Sequence, residues 1–141
     1  MFKVLVVDDN PGVRETLSLL LEGEGYKVVT ASNGMEALQT ARAERPDVIL
    51  LDSEMPVMTG PEVLVQIKKE PAIAGIPVLM VTARDAKTDA LGVVQLGARY
   101  YIQKPWKPGE VETSVKWALR IAGKLPPEPP RKPPQNPSSR P

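Results

Sequence analysis

Five short apolar runs, each separated from the next by a stretch of helical periodicity, constrain this chain more than any other feature. The runs are KVLVV, KVVTA, DVILL, VLMV and YYIQ. Near-continuous apolar runs of this length mark parallel strands covered on both faces. Strands are therefore expected at 3–8, 27–31, 47–51, 78–81 and 100–103. Alternation of strand and helix patterns implies an α/β sheet with right-handed crossovers.

The segments between the runs carry helix signals. Asn10 can cap a first helix, with Pro11 in its first turn. Val13, Leu17, Leu20 and Leu21 recur at helical spacing, and Gly23 and Gly25 end that pattern. Asn33 caps a second helix, with Met35, Leu38 and Ala41 on one side, and Pro46 stops it. Thr59 and Glu62 have capping-box spacing around Pro61, ahead of Val63, Leu64 and Ile67. A fourth helix is expected over 86–96, closed by Gly97. A fifth starts near Pro108, carries Val111, Val115 and Leu119 as its apolar stripe, and fades near Ile121. Periodicity does not give strand order. A flavodoxin-like (βα)5 doubly wound sheet in the order 2-1-3-4-5 is the natural choice, because it sets strands one, three, four and five side by side.

Composition changes abruptly near the end of the chain. Almost every second residue from Leu125 to Pro141 is proline, which neither a helix nor an interior strand accepts. The expected organisation is a domain over 1–123 and a disordered Pro-rich tail over 124–141. Such a tail is solvated and polyproline-like, and reaches up to roughly 50 Å. It reads either as a linker or as a proline-rich docking segment.

The total of 141 residues suits one domain, and 42% apolar content suits one packed core. A net charge of +1 gives no general attraction to nucleic acid or anionic membrane. Absence of cysteine excludes disulfides, thiolate metal sites and cysteine nucleophiles. Absence of histidine excludes Ser-His-Asp catalysis and imidazole acid–base work. With no apolar stretch of roughly 20 residues, a cytoplasmic protein without membrane contact is expected.

Charged residues sit where the runs end. Asp8 and Asp9 follow the first, Asp52 the third and Lys104 the fifth. Ligands of open parallel sheets bind outside the carboxyl ends of the strands. Neighbouring strands would thus bring three carboxylates and one ammonium to one rim. Two unit charges about 4 Å apart repel by roughly 4 kcal/mol at an effective dielectric of 20. A hard cation with oxygen ligands relieves that repulsion, and Mg²⁺ suits one or two carboxylates with phosphate. Three aspartates and Lys104 leave a charge of −2, which one Mg²⁺ cancels. One aspartate could then attack phosphorus as a carboxylate nucleophile, with Lys104 holding the phosphoryl oxygens. Each residue taken alone has a plainer reading: an acidic turn pair, a strand-end hydroxyl at Thr82, a core aromatic at Tyr101, a solvated Lys104.

LVVDDN, ILLDSEMPVMTG, VLMVTA and GARYYIQKPW occur in the order and spacing of bacterial two-component response regulator receiver domains. The chain resembles that family over about 2–122. The resemblance implies that Asp52 accepts a phosphoryl group from a phosphohistidine on a histidine kinase or phosphotransfer protein. It implies that Asp9, Asp52 and the backbone carbonyl of Glu54 bind Mg²⁺, with Asp8 acting through a water. Thr82 matches the hydroxyl that follows the phosphoryl group, Tyr101 the switch aromatic and Lys104 the family lysine, with Pro105 commonly cis. Glu54 and Arg84 match positions that tune aspartyl-phosphate lifetime, and their opposite charges suggest a pair across the site mouth. Thr59 replaces a frequent aspartate, and Trp106 the usual phenylalanine.

The implied function is a phosphorylation-dependent signalling switch. Phosphorylation would shift the face made by the fourth helix, fifth strand and fifth helix toward a partner-binding state. Such a domain catalyses its own phosphoryl transfer without being a turnover enzyme. Its downstream target would be a protein, with no direct nucleic-acid contact. Other readings are an unphosphorylated adaptor and an aspartyl phosphatase, the latter opposed by DDNPG where DxDxT is needed. A flavodoxin is opposed by acids in the first loop. Trp117, Lys116 and Arg120 lie off the apolar stripe of the last helix, either as a contact surface or as simple packing.

Overall fold

The computed structural model describes residues 1–83 and 96–126. Five strands form one parallel sheet: β1 (Lys3–Val7), β2 (Lys27–Ala31), β3 (Val48–Leu51), β4 (Val78–Thr82) and β5 (Tyr100–Gln103). Their order is β2-β1-β3-β4-β5, the flavodoxin-like arrangement expected. Four helices are described: α1 (Pro11–Gly23), α2 (Gly34–Glu44), α3 (Gly60–Lys69) and a C-terminal α4 (Glu110–Ile121). The helix expected over 86–96, apart from Leu96, and the segment 127–141 lie outside the described residues.

Alternation along the strands feeds two separate cores. Leu5, Val7, Ile49, Leu51, Val78, Met80 and Tyr101 face α2 and α3. Val4, Val6, Val48, Leu50, Leu79, Val81 and Ile102 face α1 and α4. Register is in step across the sheet, with Val7 opposite Leu51 and Leu51 opposite Met80. The ends of β1, β3 and β4 therefore lie level, and residues just beyond them meet.

Local chemistry fixes where the helices begin. Asn10 Oδ1 accepts from the backbone N–H of Gly12 and of Val13, so α1 starts right after the first acidic pair. Thr59 and Glu62 form the expected capping box at α3. Asn33 caps α2 by accepting from Glu36 N–H. Arg45, at φ 45, takes the left-handed position that ends α2 just before Pro46.

Two expectations change. Met35 is exposed, and the small residues Gly34, Ala37 and Ala41, with Leu38, form the buried face of α2. The folded unit also continues past Gly123. Lys124 and Leu125 both donate backbone N–H groups to Leu119 O, and Lys124 Nζ reaches Asp47 Oδ1 at 2.7 Å. Leu125 packs against the α1–α4 core, and so does Trp106.

Candidate functional site

Strand ends deliver the acids, as the sequence implied. Asp8 and Asp52 are buried, at 1% and 5% exposure, while Asp9 stands at the surface. One carboxylate oxygen from each lies within 4.8 Å of the other two. Lys104 Nζ sits 2.6 Å from Asp8 Oδ2 and 3.7 Å from Asp52 Oδ1. Residues 96 positions apart in the chain, Asp8 and Lys104, thus share one ion pair. The Lys104–Pro105 peptide is cis, as the family resemblance implied.

The loops hold these groups in place. Asp8 Oδ1 accepts from Asn10 N–H at 2.9 Å, and Arg14 Nη1 donates to the Asp8 carbonyl at 2.7 Å. Asp52 N–H donates to the Val7 carbonyl, which extends the β1–β3 ladder one residue into the site. Glu54 N–H donates to Asp52 Oδ1 at 3.3 Å. Gly60 N–H closes the loop onto the Ser53 carbonyl at 3.1 Å. Any side chain at Gly60 would put its Cβ into the Asp52 carbonyl oxygen and against Ser53 Cα, so the loop requires glycine there.

Burial is the main cause that pushes the Asp52 carboxyl up to about 6, and the Asp8 charge adds to it. Lys104 and the Glu54 N–H pull the other way, and Asp9 contributes a smaller upward push. A buried carboxylate held ionised beside another is the condition that a hard cation relieves. The donor set fits Mg²⁺ on its own terms: it is all oxygen, anionic and closely spaced. An ion with bonds of about 2.1 Å spreads its ligand oxygens at most about 4.2 Å apart, a small movement from what is present.

Thr82 is fully buried at the end of β4, and its Oγ1 meets Ser53 Oγ in a hydrogen bond. Tyr101 is at 9% exposure and packs into the α2–α3 core, so its ring points inward. Glu54 is exposed at the mouth of the site, and Arg84, its expected partner, lies outside the described residues. Trp117 stacks at a tilt on Tyr100, with ring centroids 5.8 Å apart. It is 40% exposed, so it is partly packed and partly open.

Sequence reasoning missed Ser53 and Arg14. Ser53 reads as a turn residue after a reactive acid, and only the β3–β4 register reveals its contact with Thr82. Arg14 falls one helical turn after Asn10, and that spacing could have pointed it back at the acidic loop.

A family profile described as response regulator receiver domain matches residues 4–116. The alkaline phosphatase synthesis transcriptional regulatory protein PhoP of Bacillus subtilis is 43% identical over 118 residues, covering 84% of this chain and 48% of that protein. Protein PilH of Pseudomonas aeruginosa is 39% identical over 105 residues, covering 74% of this chain and 87% of that protein. The chain spans about half the length of several such curated relatives. Among solved structures, the chemotaxis protein CheY4 of Vibrio cholerae superposes with a TM-score of 0.79 at 35% identity, covering 84% of this chain and 99% of that one.

Proposed function

Because the chain belongs to the response regulator receiver family, we propose that it is a phosphorylation-dependent signalling switch in which Asp52 is the phosphoacceptor. The observation that carries this reading is the convergence of Asp8, Asp9 and Asp52 with Lys104 Nζ at the carboxyl ends of the strands. Asp9, Asp52 and the Glu54 carbonyl would hold Mg²⁺, with Asp8 behind a water. When bound, the ion supplies positive charge that lets a phosphate donor approach the carboxylates.

An Asp52 carboxylate oxygen attacks phosphorus. The new O–P bond forms as the donor's P–N bond breaks, and the electron pair leaves with the imidazole of the partner's phosphohistidine. Reaction needs the ionised carboxylate, which in the unliganded protein prevails above about pH 6. Lys104, already between Asp8 and Asp52, turns its ammonium to the phosphoryl oxygens. Asp52 then carries a charge near −2 in place of −1. Thr82 follows the new oxygens, and the populations of β5 and the helices beside it shift with it. Receiver domains are signalling switches, and this transfer is a single self-catalysed event.

The donor is a histidine kinase or phosphotransfer protein, and the downstream partner is a protein. We assign no DNA contact to this domain; MtrA of Mycolicibacterium smegmatis, named as DNA-binding, is about twice the matched length, with 50% of it covered. No helix among the described residues is long and apolar enough to cross a membrane, and a cytoplasmic site of action fits that. Incubation with acetyl phosphate, read by intact-mass spectrometry with and without Mg²⁺, tests the reading. Wild type with Mg²⁺ should gain about 80 Da, one phosphoryl group, and Asp52→Ala should gain none. An adduct that persists in Asp52→Ala removes Asp52 from the role.

A further inference from the structure

We propose that Ser53 is a positioning residue that latches Thr82 in the resting state and so sets how readily the switch turns on. The inference deepens the switch reading above and rests on it. Its starting point is the hydrogen bond between Ser53 Oγ and Thr82 Oγ1, two buried hydroxyls 29 positions apart in sequence.

Ile49 and Leu51 of β3, and Val78 and Met80 of β4, point to the α2–α3 core. Alternation carries Ser53 and Thr82 to that same face. Val6, Leu50 and Ile102 point to the α1–α4 core. Asp8, Asp52 and Lys104 follow these by two residues and meet beyond the strand ends. At rest, then, the Thr82 hydroxyl is engaged by Ser53. To bond a phosphoryl group on Asp52, the Thr82 hydroxyl must turn to it and give up Ser53.

The backbone makes Ser53 a firm anchor. Gly60 N–H donates to the Ser53 carbonyl, and the packing that demands glycine at Gly60 keeps the loop from drifting with Thr82. Ser53 is at 4% exposure, so when Thr82 leaves, water does not readily replace it. The cost of that release opposes the active state before any partner binds. Tyr101, on the Thr82 face and opposite Met80 in the β4–β5 register, lies in the same core into which Thr82 is held.

Beryllofluoride with Mg²⁺ is the probe, titrated against the intact chain with Trp106 and Trp117 fluorescence as signal. Removing the latch by Ser53→Ala should tighten beryllofluoride binding roughly 2- to 12-fold, the range one net hydrogen bond supports. Binding of Mg²⁺ alone should not change. In a Thr82→Ala background the same Ser53→Ala change should give no gain, and Ser53→Cys keeps the bulk if the alanine variant is poorly folded. Damage to the fold alone would weaken binding, the opposite sign. Unchanged or weaker binding in both Ser53 variants, or an equal gain without Thr82, overturns the latch. Failure of wild type to bind beryllofluoride with Mg²⁺ at all would instead bring down the switch reading, and the latch with it.

Discussion

Asp52→Asn should stabilise the metal-free protein at neutral pH. The carboxyl is at 5% exposure, with Asp8 beside it, and burial followed by the Asp8 charge raises it from 3.8 to about 6. Because protonation is favoured in the folded state, the native protein holds more protons than the unfolded chain between those values. The stability contributed by this group is therefore intact below about pH 4 and is lost as pH rises through 6. At 1.36 kcal/mol per pH unit, the full loss is about 3 kcal/mol. Asparagine keeps the shape and drops the charge, so it should recover about 2–3 kcal/mol above pH 7 and almost nothing below pH 4. Asp47, Glu44, Glu62 and Glu70 are lowered by their partners and give the opposite pH trend. The difference between variant and wild type, taken by urea unfolding in EDTA across the range, cancels them. Adding Mg²⁺ should close the gap from the wild-type side, since a ligand of the native state stabilises it. A variant no more stable than wild type at pH 7.5, or an advantage that does not shrink on acidification, would refute the reasoning.

Lys104→Met should destabilise the protein by about 3 kcal/mol in urea unfolding without metal, because it leaves the buried Asp8 carboxylate without its cation. Saturating Mg²⁺ should return part of that loss; no loss at all would mean the ion pair contributes nothing. Gly60→Ala should cost about 3 kcal/mol or more, since the clash is with backbone and cannot be relieved by a side-chain rotation. The urea midpoint reads it, and the same variant should bind Mg²⁺ more weakly because the Asp52 loop must shift. Val57 is fully exposed at φ 71, a left-handed conformation that penalises a β-branched residue, so Val57→Asn should raise stability by about 1 kcal/mol. A thermal midpoint unchanged by that substitution would show the loop adopts another conformation in solution.

How much of this was legible depended on how far each signal reaches along the chain. Caps at Asn10, Asn33 and Thr59 were readable because the donor and acceptor lie within three residues. The central strands β1, β3 and β4 were readable because strands covered on both faces are near-continuously apolar, while the edge strands β2 and β5 keep short apolar runs with exposed Lys27, Thr30, Tyr100 and Gln103. The rim of Asp8, Asp52 and Lys104 followed once the flavodoxin-like strand order was adopted, since position after a strand fixes position in the fold. Met35 misled because helical spacing weighs an apolar side chain more than glycine or alanine, and here Gly34, with Met58 packed over it, belongs to the buried face. The Ser53–Thr82 bond was invisible because it requires the register between β3 and β4, which no local pattern encodes. Asp47 also looked like the first residue of a strand. Its carboxylate instead accepts from the Lys3 backbone N–H and holds Lys124, two partners far away in sequence.

That last tie has a practical consequence. Asp47 and Lys3 stand where β3 and β1 begin, whereas the acids stand where those strands finish. Through Lys124 and Leu125 the polypeptide is stapled to the sheet's starting edge, about 16 Å of strand from the reacting carboxylate. A fluorophore or affinity handle attached just beyond Leu125 would hang at the opposite pole, leaving the approach path of a bulky phosphate donor unobstructed.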